Sequence, residues 1–334
     1  MSGPVATPET AYVVAFRDGL AEAMERDPDI FVAGEDVGEF GGVWRSYMGL
    51  HARFGGKRVF DTPISEQAII GLATGAAVSG LRPVVDIMFF DFFAVCLDQI
   101  VNQAAKMKYM FGGKARLPMT IVTWGGAGLS GAAQHSQSLE AWLCHIPGLK
   151  VVMPSTPEDA KGLIAASVFD DNPVVYIGNK KLLGLTGPVP EGYHEVPLGS
   201  ARTFREGDSV TIVAMGAMVH EAIIAAEELA RDGIEAEIID PRTLEPLDLP
   251  TIVTSVKKTN RVVVVHEAVQ SCGFGAEIAA RINESAFDWL DAPVKRVGAP
   301  FSPVPMSPDL EKFYVPNAER IAEAARATLQ RTVA

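Results

Sequence analysis

The chain has few cysteines, and their spacing matches no common disulfide or metal pattern. Its 334 residues include only Cys96, Cys144 and Cys272, with no CxxC pair. A sparse, odd set of this kind is typical of a reducing compartment. A chain of this length buries enough apolar surface to fold without disulfides or metal clips. We therefore expect each cysteine to be a small apolar core residue.

Positive charge is also scarce. The chain carries 29 Lys and Arg against 41 Asp and Glu, a formal net charge of -12. Nucleic-acid binding needs clustered basic residues to neutralise phosphates, so we expect no nucleic-acid partner. No window approaches the roughly 20 apolar residues of a membrane span, and the N-terminal MSGPVATPET lacks a signal-peptide pattern. We expect a cytoplasmic protein that does not bind membranes.

Several common catalytic motifs are missing from the sequence. There is no GxxxxGK[ST] phosphate loop, no HExxH, no GxSxG and no Cys/His metal cluster. The segment 273–279 is loosely similar to a dinucleotide loop, but it completes no GxGxxG and is separated from the preceding strand pattern. These absences argue against P-loop, zinc-protease, serine-hydrolase and nicotinamide chemistry.

What the chain does contain is an alternation of short β-rich runs and helical patterns, which predicts an α/β fold. Several of the β-rich runs are continuously apolar, as expected for parallel strands covered on both faces. The predicted strands are Ile30–Gly34, Arg58–Asp61, Val84–Phe89, Thr120–Trp124, Lys150–Pro154, Val174–Ile177, Val210–Met215, Glu235–Ile239, Arg261–His266 and Val294–Val297. The predicted helices are Glu9–Arg26, Gln67–Ser79, Phe93–Met107, Pro157–Phe169, Val219–Asp232 and Pro316–Leu329.

A domain boundary is predicted in Gly184–Arg205, which is punctuated by Pro and Gly and lacks long periodicity. We expect an N-terminal domain over 1–185, a linker over 186–204 and a C-terminal domain over 205–334.

Four short segments could carry chemistry. Glu66 follows a predicted strand and turn and opens a helix of small residues, but negative charge at a helix start is also simply favourable. His135 lies between amides and a hydroxyl in a glycine-rich loop, where a catalytic and a structural role are equally open. Phe92 lies in an aromatic run and Glu35 in an acidic pair closing a strand; core packing and capping are the ordinary interpretations of these two.

Long stretches of the chain closely resemble the β subunits of thiamine-diphosphate-dependent 2-oxo-acid dehydrogenases. That family includes the pyruvate, branched-chain 2-oxo-acid and acetoin dehydrogenases. The resemblance is collinear from about residue 10 to 330. Its clearest stretches are FDTPISEQAIIGLATGAAVSGLRPVVDIMFFDFF, DQIVNQAAKMKYMFGG, AAQHSQSLEAW, HIPGLKVVMPSTPEDAKGL and DPRTLEPLDLPTIVTSVKKT.

The resemblance implies an N-terminal pyrimidine-binding domain and a C-terminal transketolase-type domain, both α/β. It also implies an α2β2 assembly that holds thiamine diphosphate between α and β. The α subunit would supply a Gly-Asp-Gly motif and hold Mg2+. This chain lacks that motif, since Gly207-Asp208 is followed by Ser209. The resemblance also implies a lipoyl acyltransferase core as partner and a 2-oxo acid or acyloin as substrate.

Carried over position by position, the resemblance makes Glu66 the carboxylate against N1′ of the cofactor's aminopyrimidine, where shelter from water would raise its pKa. Phe92 matches the aromatic residue that packs on this ring. Glu35 matches a carboxylate that lies beside the ring, and Ile64 matches a residue whose backbone contacts it. His135 matches the histidine that orients substrate and protonates the lipoyl acceptor.

Two further implications are weaker. Some relatives hold a structural K+ at positions matched here by Ser167, Phe169, Asp170 and Asn172, near the end of a helix where carbonyls are free. Acidic residues near the C-terminus could face a basic docking segment or simply be solvated; they are Asp309, Glu311 and Glu319.

Three segments depart from the common family pattern. Thr123-Trp124 stands where many relatives carry Arg, and Gly178-Asn179 stands where they often carry Glu-His. The segment 297–308 is more similar to acetoin-type than to pyruvate-type subunits. An acetoin-type or otherwise specialised member is therefore favoured. A non-catalytic assembly subunit and half of a split transketolase remain alternatives.

Overall fold

The computed structural model describes residues 9–330, which form two compact units. Unit 1 comprises residues 9–125 and 143–198, and unit 2 comprises 126–142 and 199–330. The segment 126–142, which carries His135, thus belongs to unit 2, although it lies within the sequence range predicted for the first domain. No helix in the described range is both long and apolar enough to cross a membrane.

Short strands and helices alternate through both units. The strands are β1 Glu9–Ala11, β2 Ile30–Gly34, β3 Val59–Asp61, β4 Arg82–Ile87, β5 Thr120–Gly125, β6 Lys150–Val152, β7 Val174–Asn179, β8 Thr186–Pro188, β9 Arg202–Arg205, β10 Val210–Ala214, β11 Ala236–Asp240, β12 Thr243–Glu245, β13 Val262–Val269 and β14 Lys295–Ala299. The α-helices are α1 Tyr12–Arg26, α2 Leu50–Phe54, α3 Glu66–Val78, α4 Ala105–Met110, α5 Glu140–Cys144, α6 Pro157–Phe169, α7 Met218–Arg231, α8 Leu249–Thr259, α9 Phe274–Ala286, α10 Pro308–Tyr314 and α11 Ala318–Leu329.

Unit 1 is built on a parallel sheet with strand order β6-β7-β5-β4-β2-β3. Every residue of β2, β5 and β7 is buried, as expected for strands covered on both faces. α1 approaches α6 closely, because a Cβ on Gly19 would lie 2.6 Å from the Lys161 carbonyl oxygen. Only glycine permits this spacing.

Unit 2 has a second sheet, with strand order β14-β13-β10-β11-β9. The first four strands are parallel, and β9 is antiparallel to β11. α8 begins at an N-cap, Asp248, whose carboxylate accepts the Thr251 N–H at 3.2 Å.

Each predicted strand has a counterpart in the structure, and the predicted α/β fold is confirmed. One helix prediction is wrong: Phe93–Met107 is not a single α-helix but a 3-10 turn over Phe90–Cys96, a π-helical turn over Gln99–Ala104, and α4. Phe90 and Phe93 are both buried and stack edge to face at 5.1 Å. A 3-10 turn places residues three apart on one side, which suits this pair.

The structure explains two of the sequence departures as one arrangement. Trp124 in β5 and Gly178 in β7 are register partners, and a Cβ on Gly178 would lie 2.4 Å from the Trp124 ring. The indole is fully buried and meets Phe16 edge to face at 5.6 Å. The glycine therefore makes the room that the tryptophan fills.

We predict that Gly178→Ala lowers the free energy of unfolding by about 1–3 kcal/mol, because the added methyl overpacks a filled core. Denaturant titration of the purified chain measures this. Gly184→Ala is the matched control, since a Cβ there meets nothing within 4 Å. Equal stability of the two variants would contradict the prediction.

Candidate active site

The carboxyl ends of three neighbouring strands define one edge of the unit 1 sheet. Gly34, the last residue of β2, pairs in register with Asp61 of β3 and Asp86 of β4. The chain that follows each strand therefore starts at the same edge. Ligands of open parallel sheets bind at such edges.

Glu66 is the first residue of α3, four residues after the Thr62 turn that follows β3. The Thr62 N–H donates to the Gly34 carbonyl at 2.9 Å, which fixes this turn against the end of β2. The side chain is half-buried. A carboxylate at this place is favoured by the partial positive charge of the helix start.

Glu35 lies close enough to Glu66 for their charges to interact. Partial burial raises the pKa of Glu35, and the negative charges of Asp36 and Glu66 raise it further. Cys96 is in the same region: burial raises the pKa of its thiol to about 12, and the charge of Glu66 contributes. Cys96 is thus a protonated, buried thiol, which agrees with the predicted core role. The same prediction is wrong for Cys272, which is exposed, and Cys144 is only partly buried.

The loop after Glu35 is held by Asp61. The Gly38 N–H donates to the Asp61 carboxylate at 2.6 Å. A Cβ on Gly38 would lie 2.8 Å from the other carboxylate oxygen, so a larger residue here would displace the Asp61 side chain. This bond fixes the chain that follows Glu35 relative to the end of β3.

Asp86 is a buried acid that the sequence analysis missed. It is 6% exposed, and the Tyr47 hydroxyl donates to its carboxylate at 2.6 Å. Burial raises the pKa of Asp86 to about 7 against the opposing effect of the Tyr47 hydrogen bond, and Glu35 adds to the rise. The available signal was an acid inside an otherwise apolar strand, a combination rarely buried without a partner.

The aromatic and backbone candidates lie on the segments that follow β4 and β3. Phe92 is half-buried and meets Phe89 edge to face at 5.7 Å, and Phe89 meets Trp44 at 5.3 Å. Ile64, in the turn before α3, is 75% exposed. Unit 1 therefore brings Glu35, Glu66, Phe92 and Ile64 to segments that follow neighbouring strands, and their role in binding a cofactor stays a prediction.

His135 lies in unit 2, on the irregular loop 126–139. Ser130 and Ala132 adopt positive φ values of 55° and 59°, which is a strained backbone for residues with a side chain. Ser136 is 2% exposed, and no described residue forms a hydrogen bond with its hydroxyl.

Two buried acids beside this loop were also missed. Burial raises the pKa of Glu140 to about 7, opposed by a hydrogen bond to its own backbone and reinforced by the charge of Glu267. Glu267 accepts a hydrogen bond from the Ala127 N–H. A cavity of about 450 Å3 in unit 2 is bounded on one side by the loop and on another by β13. Its lining includes Ala127, Ala133, Ser136, Gln137, Ser138, Leu139, Glu267, Ala268, Val269, Val304 and Tyr314.

The residues predicted for K+ lie at the opposite edge of the unit 1 sheet, where β4, β5 and β7 begin. Asp170 pairs with Lys150 and accepts the Asn172 N–H at 2.9 Å. The side-chain amide oxygen of Asn172 accepts a hydrogen bond from Lys108 at 2.6 Å, and Arg82 donates to the Val168 backbone carbonyl at 3.1 Å. Within the same turn, the Ser167 carbonyl accepts the Asp170 N–H, and Phe169 meets Tyr193 edge to face.

Three protein cations already supply positive charge at this edge, so the residues present do not call for an added cation. The potassium site stays a prediction. Among residues 9–330, no cluster of three or more His, Cys, Asp or Glu side chains is placed to hold a metal.

The family model "Transketolase, pyrimidine binding domain" matches residues 9–186, and "Transketolase, C-terminal domain" matches 199–321. Residues 187–198, within the predicted linker, lie between the two matches.

Several curated relatives are similar over nearly their full length. The acetoin:2,6-dichlorophenolindophenol oxidoreductase subunit beta of Cupriavidus necator is 48% identical, over 95% of this chain and 96% of the relative. The pyruvate dehydrogenase E1 component subunit beta of Rickettsia felis is 46% identical, over 93% and 96%. A solved structure titled "Split gene transketolase, inactive beta4 tetramer" has a TM-score of 0.78 at 25% identity, covering 96% of this chain and 99% of that one.

We predict that Asp86→Asn reduces the pH dependence of stability. With a pKa near 4 when unfolded and about 7 when folded, the folded protein binds more protons between these values. Wild-type stability therefore falls as pH rises from about 4 to about 7 through this group, and the Asn variant lacks that contribution. Melting temperatures across this pH range measure the effect, with the exposed Asp288→Asn as control. Parallel curves for wild type and Asp86→Asn would contradict it.

Proposed function

Because the chain belongs to the transketolase-type β subunits of thiamine-diphosphate-dependent 2-oxo-acid and acetoin dehydrogenases, we propose that its unit 1 sheet edge forms half of such an enzyme's active site. The observation that carries the proposal is the placement of Glu66 at the start of α3, interacting with Glu35 at the ends of neighbouring parallel strands.

The residues at this edge suit an aminopyrimidine ring. A half-buried carboxylate can share a proton with a ring nitrogen, and a half-buried aromatic side chain offers a flat apolar surface. Glu66 would hold the proton at N1′, Phe92 would pack on the ring, and the Ile64 backbone and Glu35 would border it. When bound, thiamine diphosphate supplies the nucleophilic carbon and the electron sink for cleaving the bond next to the substrate carbonyl.

The chain's own contribution is to position groups and exchange protons. The Asp61–Gly38 hydrogen bond and the Thr62–Gly34 bond hold Glu35 and Glu66 on a fixed backbone, so a ring placed between them meets a preformed site. His135 would orient the substrate and give a proton to the acyl acceptor. The proposed substrate is a 2-oxo acid or acyloin, with the acetoin type favoured by the sequence of 297–308.

Assembly with an α subunit follows from the missing diphosphate motif and from an exposed apolar face on α3. Ala68, Gly71, Leu72, Gly75 and Val78 are all exposed there, and a Cβ on Gly71 or Gly75 would meet nothing within 4 Å. Small residues four apart let a neighbouring helix approach closely. We propose an α2β2 enzyme in which α brings the diphosphate and Mg2+, a lipoyl acyltransferase core takes the acyl group, and the location is cytoplasmic.

Two alternatives make different demands on the same residues. A non-catalytic assembly subunit would need neither Glu66 nor His135. Half of a split transketolase, which the similar tetramer makes worth testing, would transfer a two-carbon unit between sugars and would not acylate lipoamide. Assaying the co-expressed α and β chains with acetoin, pyruvate and sugar phosphates separates the three.

We predict that Glu66→Gln, assembled with α, lowers substrate cleavage by about 100-fold or more, because the amide cannot exchange the proton at N1′. The rate of dye reduction with acetoin or pyruvate measures this. Glu39→Gln is the control, since that side chain is exposed on the nearby loop. Turnover within about twofold of wild type in an intact Glu66→Gln assembly would refute the assignment.

We predict that Gly75→Leu abolishes assembly with α while the β chain stays folded, because the new side chain blocks close approach of a helix to α3. Size-exclusion chromatography of co-expressed chains measures assembly, and circular dichroism checks the fold. Ala280→Leu places the same side chain on an exposed position of α9 as control. A normal αβ complex with Gly75→Leu would show that this face is not the interface.

A further inference from the structure

Glu311 is a buried carboxylate that accepts hydrogen bonds from the first part of the loop 126–139, the loop that carries His135. It lies in α10 and is 4% exposed. One of its oxygens accepts the Gly128 N–H at 2.7 Å, and the other accepts the Ser130 N–H at 2.9 Å. The Ser130 hydroxyl lies 3.5 Å from the second oxygen. Glu311 therefore does not face a docking segment, as the sequence had allowed; Asp309 and Glu319 are exposed.

A second buried carboxylate accepts a hydrogen bond from Ala127, the residue just before Gly128. Glu267 of β13 accepts the Ala127 N–H. Backbone N–H groups at Ala127, Gly128 and Ser130 are thus all held by buried glutamates from elsewhere in unit 2. Hydrogen bonds to a charged acceptor are about twice as strong as neutral ones.

The loop needs this external support. Between 126 and 139 it has no helix or strand, and Ser130 and Ala132 keep positive φ values. Strained residues of this kind persist only where their surroundings fix them. The 450 Å3 cavity beside Ala133 and Ser136 also leaves space into which a released loop could move.

We propose that Glu311 is a positioning residue that places His135 for acyl transfer by holding the backbone of 128–130. The inference rests on the proposed role of His135. The proposed role requires a carboxylate at position 311, because both oxygens of Glu311 accept hydrogen bonds from backbone N–H groups. An amide of the same shape would turn its NH2 toward one of these donors.

The test uses the assembled αβ enzyme with Glu311→Gln, His135→Ala and the double variant. Two rates are compared with acetoin and pyruvate: reduction of 2,6-dichlorophenolindophenol, which does not use the lipoyl acceptor, and acyl transfer to lipoamide. The control is Glu237→Gln, another buried glutamate of unit 2, which accepts the Gly207 N–H at 3.3 Å, pairs with Lys258 and has no hydrogen bond to the described loop 126–139.

We expect Glu311→Gln to lower transfer to lipoamide by about 10- to 100-fold, because small misplacements of a reacting group cost this much. Dye reduction should fall by a smaller factor than transfer, because that assay uses His135 only to orient the substrate and not to protonate the acyl acceptor. In the His135→Ala background, Glu311→Gln should have no further effect on transfer, because residues acting through one group are not additive. Glu237→Gln should leave both rates unchanged.

Equal losses in both rates, or a full additional loss in the His135→Ala background, would overturn the inference. A transfer defect in His135→Ala without one in Glu311→Gln would refute the role of Glu311 alone. Normal transfer in His135→Ala would instead refute the proposed role of the histidine, and the inference with it. If Glu311→Gln does not assemble, Glu311→Asp replaces it, since a shortened carboxylate keeps the charge but cannot reach both donors.

Discussion

The parallel pairing of β2 with β3 and β4 is the constraint on which the candidate site depends. This register sets Gly34 beside Asp61 and Asp86, so that three separate stretches of sequence leave the sheet at one edge. The hydrogen bonds from Gly38 to Asp61 and from Thr62 to Gly34 then fix the turns that carry Glu35 and Glu66. A one-residue slip of β3 would turn Asp61 toward the other face of the sheet and remove its hydrogen bond to Gly38.

Much of this framework was predictable because its physical causes are local. Continuous apolar runs identified β2, β5 and β7, and the small residues after Glu66 identified α3. The fold class followed from their alternation. The helix predicted over Phe93–Met107 was wrong, because this stretch is a 3-10 turn, a π-helical turn and α4. The buried edge-to-face pair of Phe90 and Phe93 suits the 3-10 turn, and it joins residues that the predicted helix did not both contain.

The residues that sequence reasoning missed are those whose role depends on distant partners. Asp86 is buried with its carboxylate accepting from the distant Tyr47, and Glu140 is buried with the charge of the distant Glu267 adding to the rise of its pKa. Glu311 is bonded to a loop some 180 residues earlier, and nothing in its neighbourhood along the chain distinguishes it from the exposed Asp309. In the sequence, Trp124 and Gly178 were two separate differences from the common family pattern. The strand register shows that they are neighbours on β5 and β7.

The exposed apolar face of α3 has a consequence for how the protein has to be made. The helix that begins with Glu66 carries Leu72 and Val78 at 45% and 41% exposure on a surface of small residues. In the proposed assembly this surface is covered only after α binds, so unassembled β chains present it to solvent and to one another. Uncovered apolar patches promote aggregation. A cell would therefore benefit from synthesising the two chains in matched amounts. Surplus copies of this chain would keep the apolar face of α3 exposed and would be prone to aggregate.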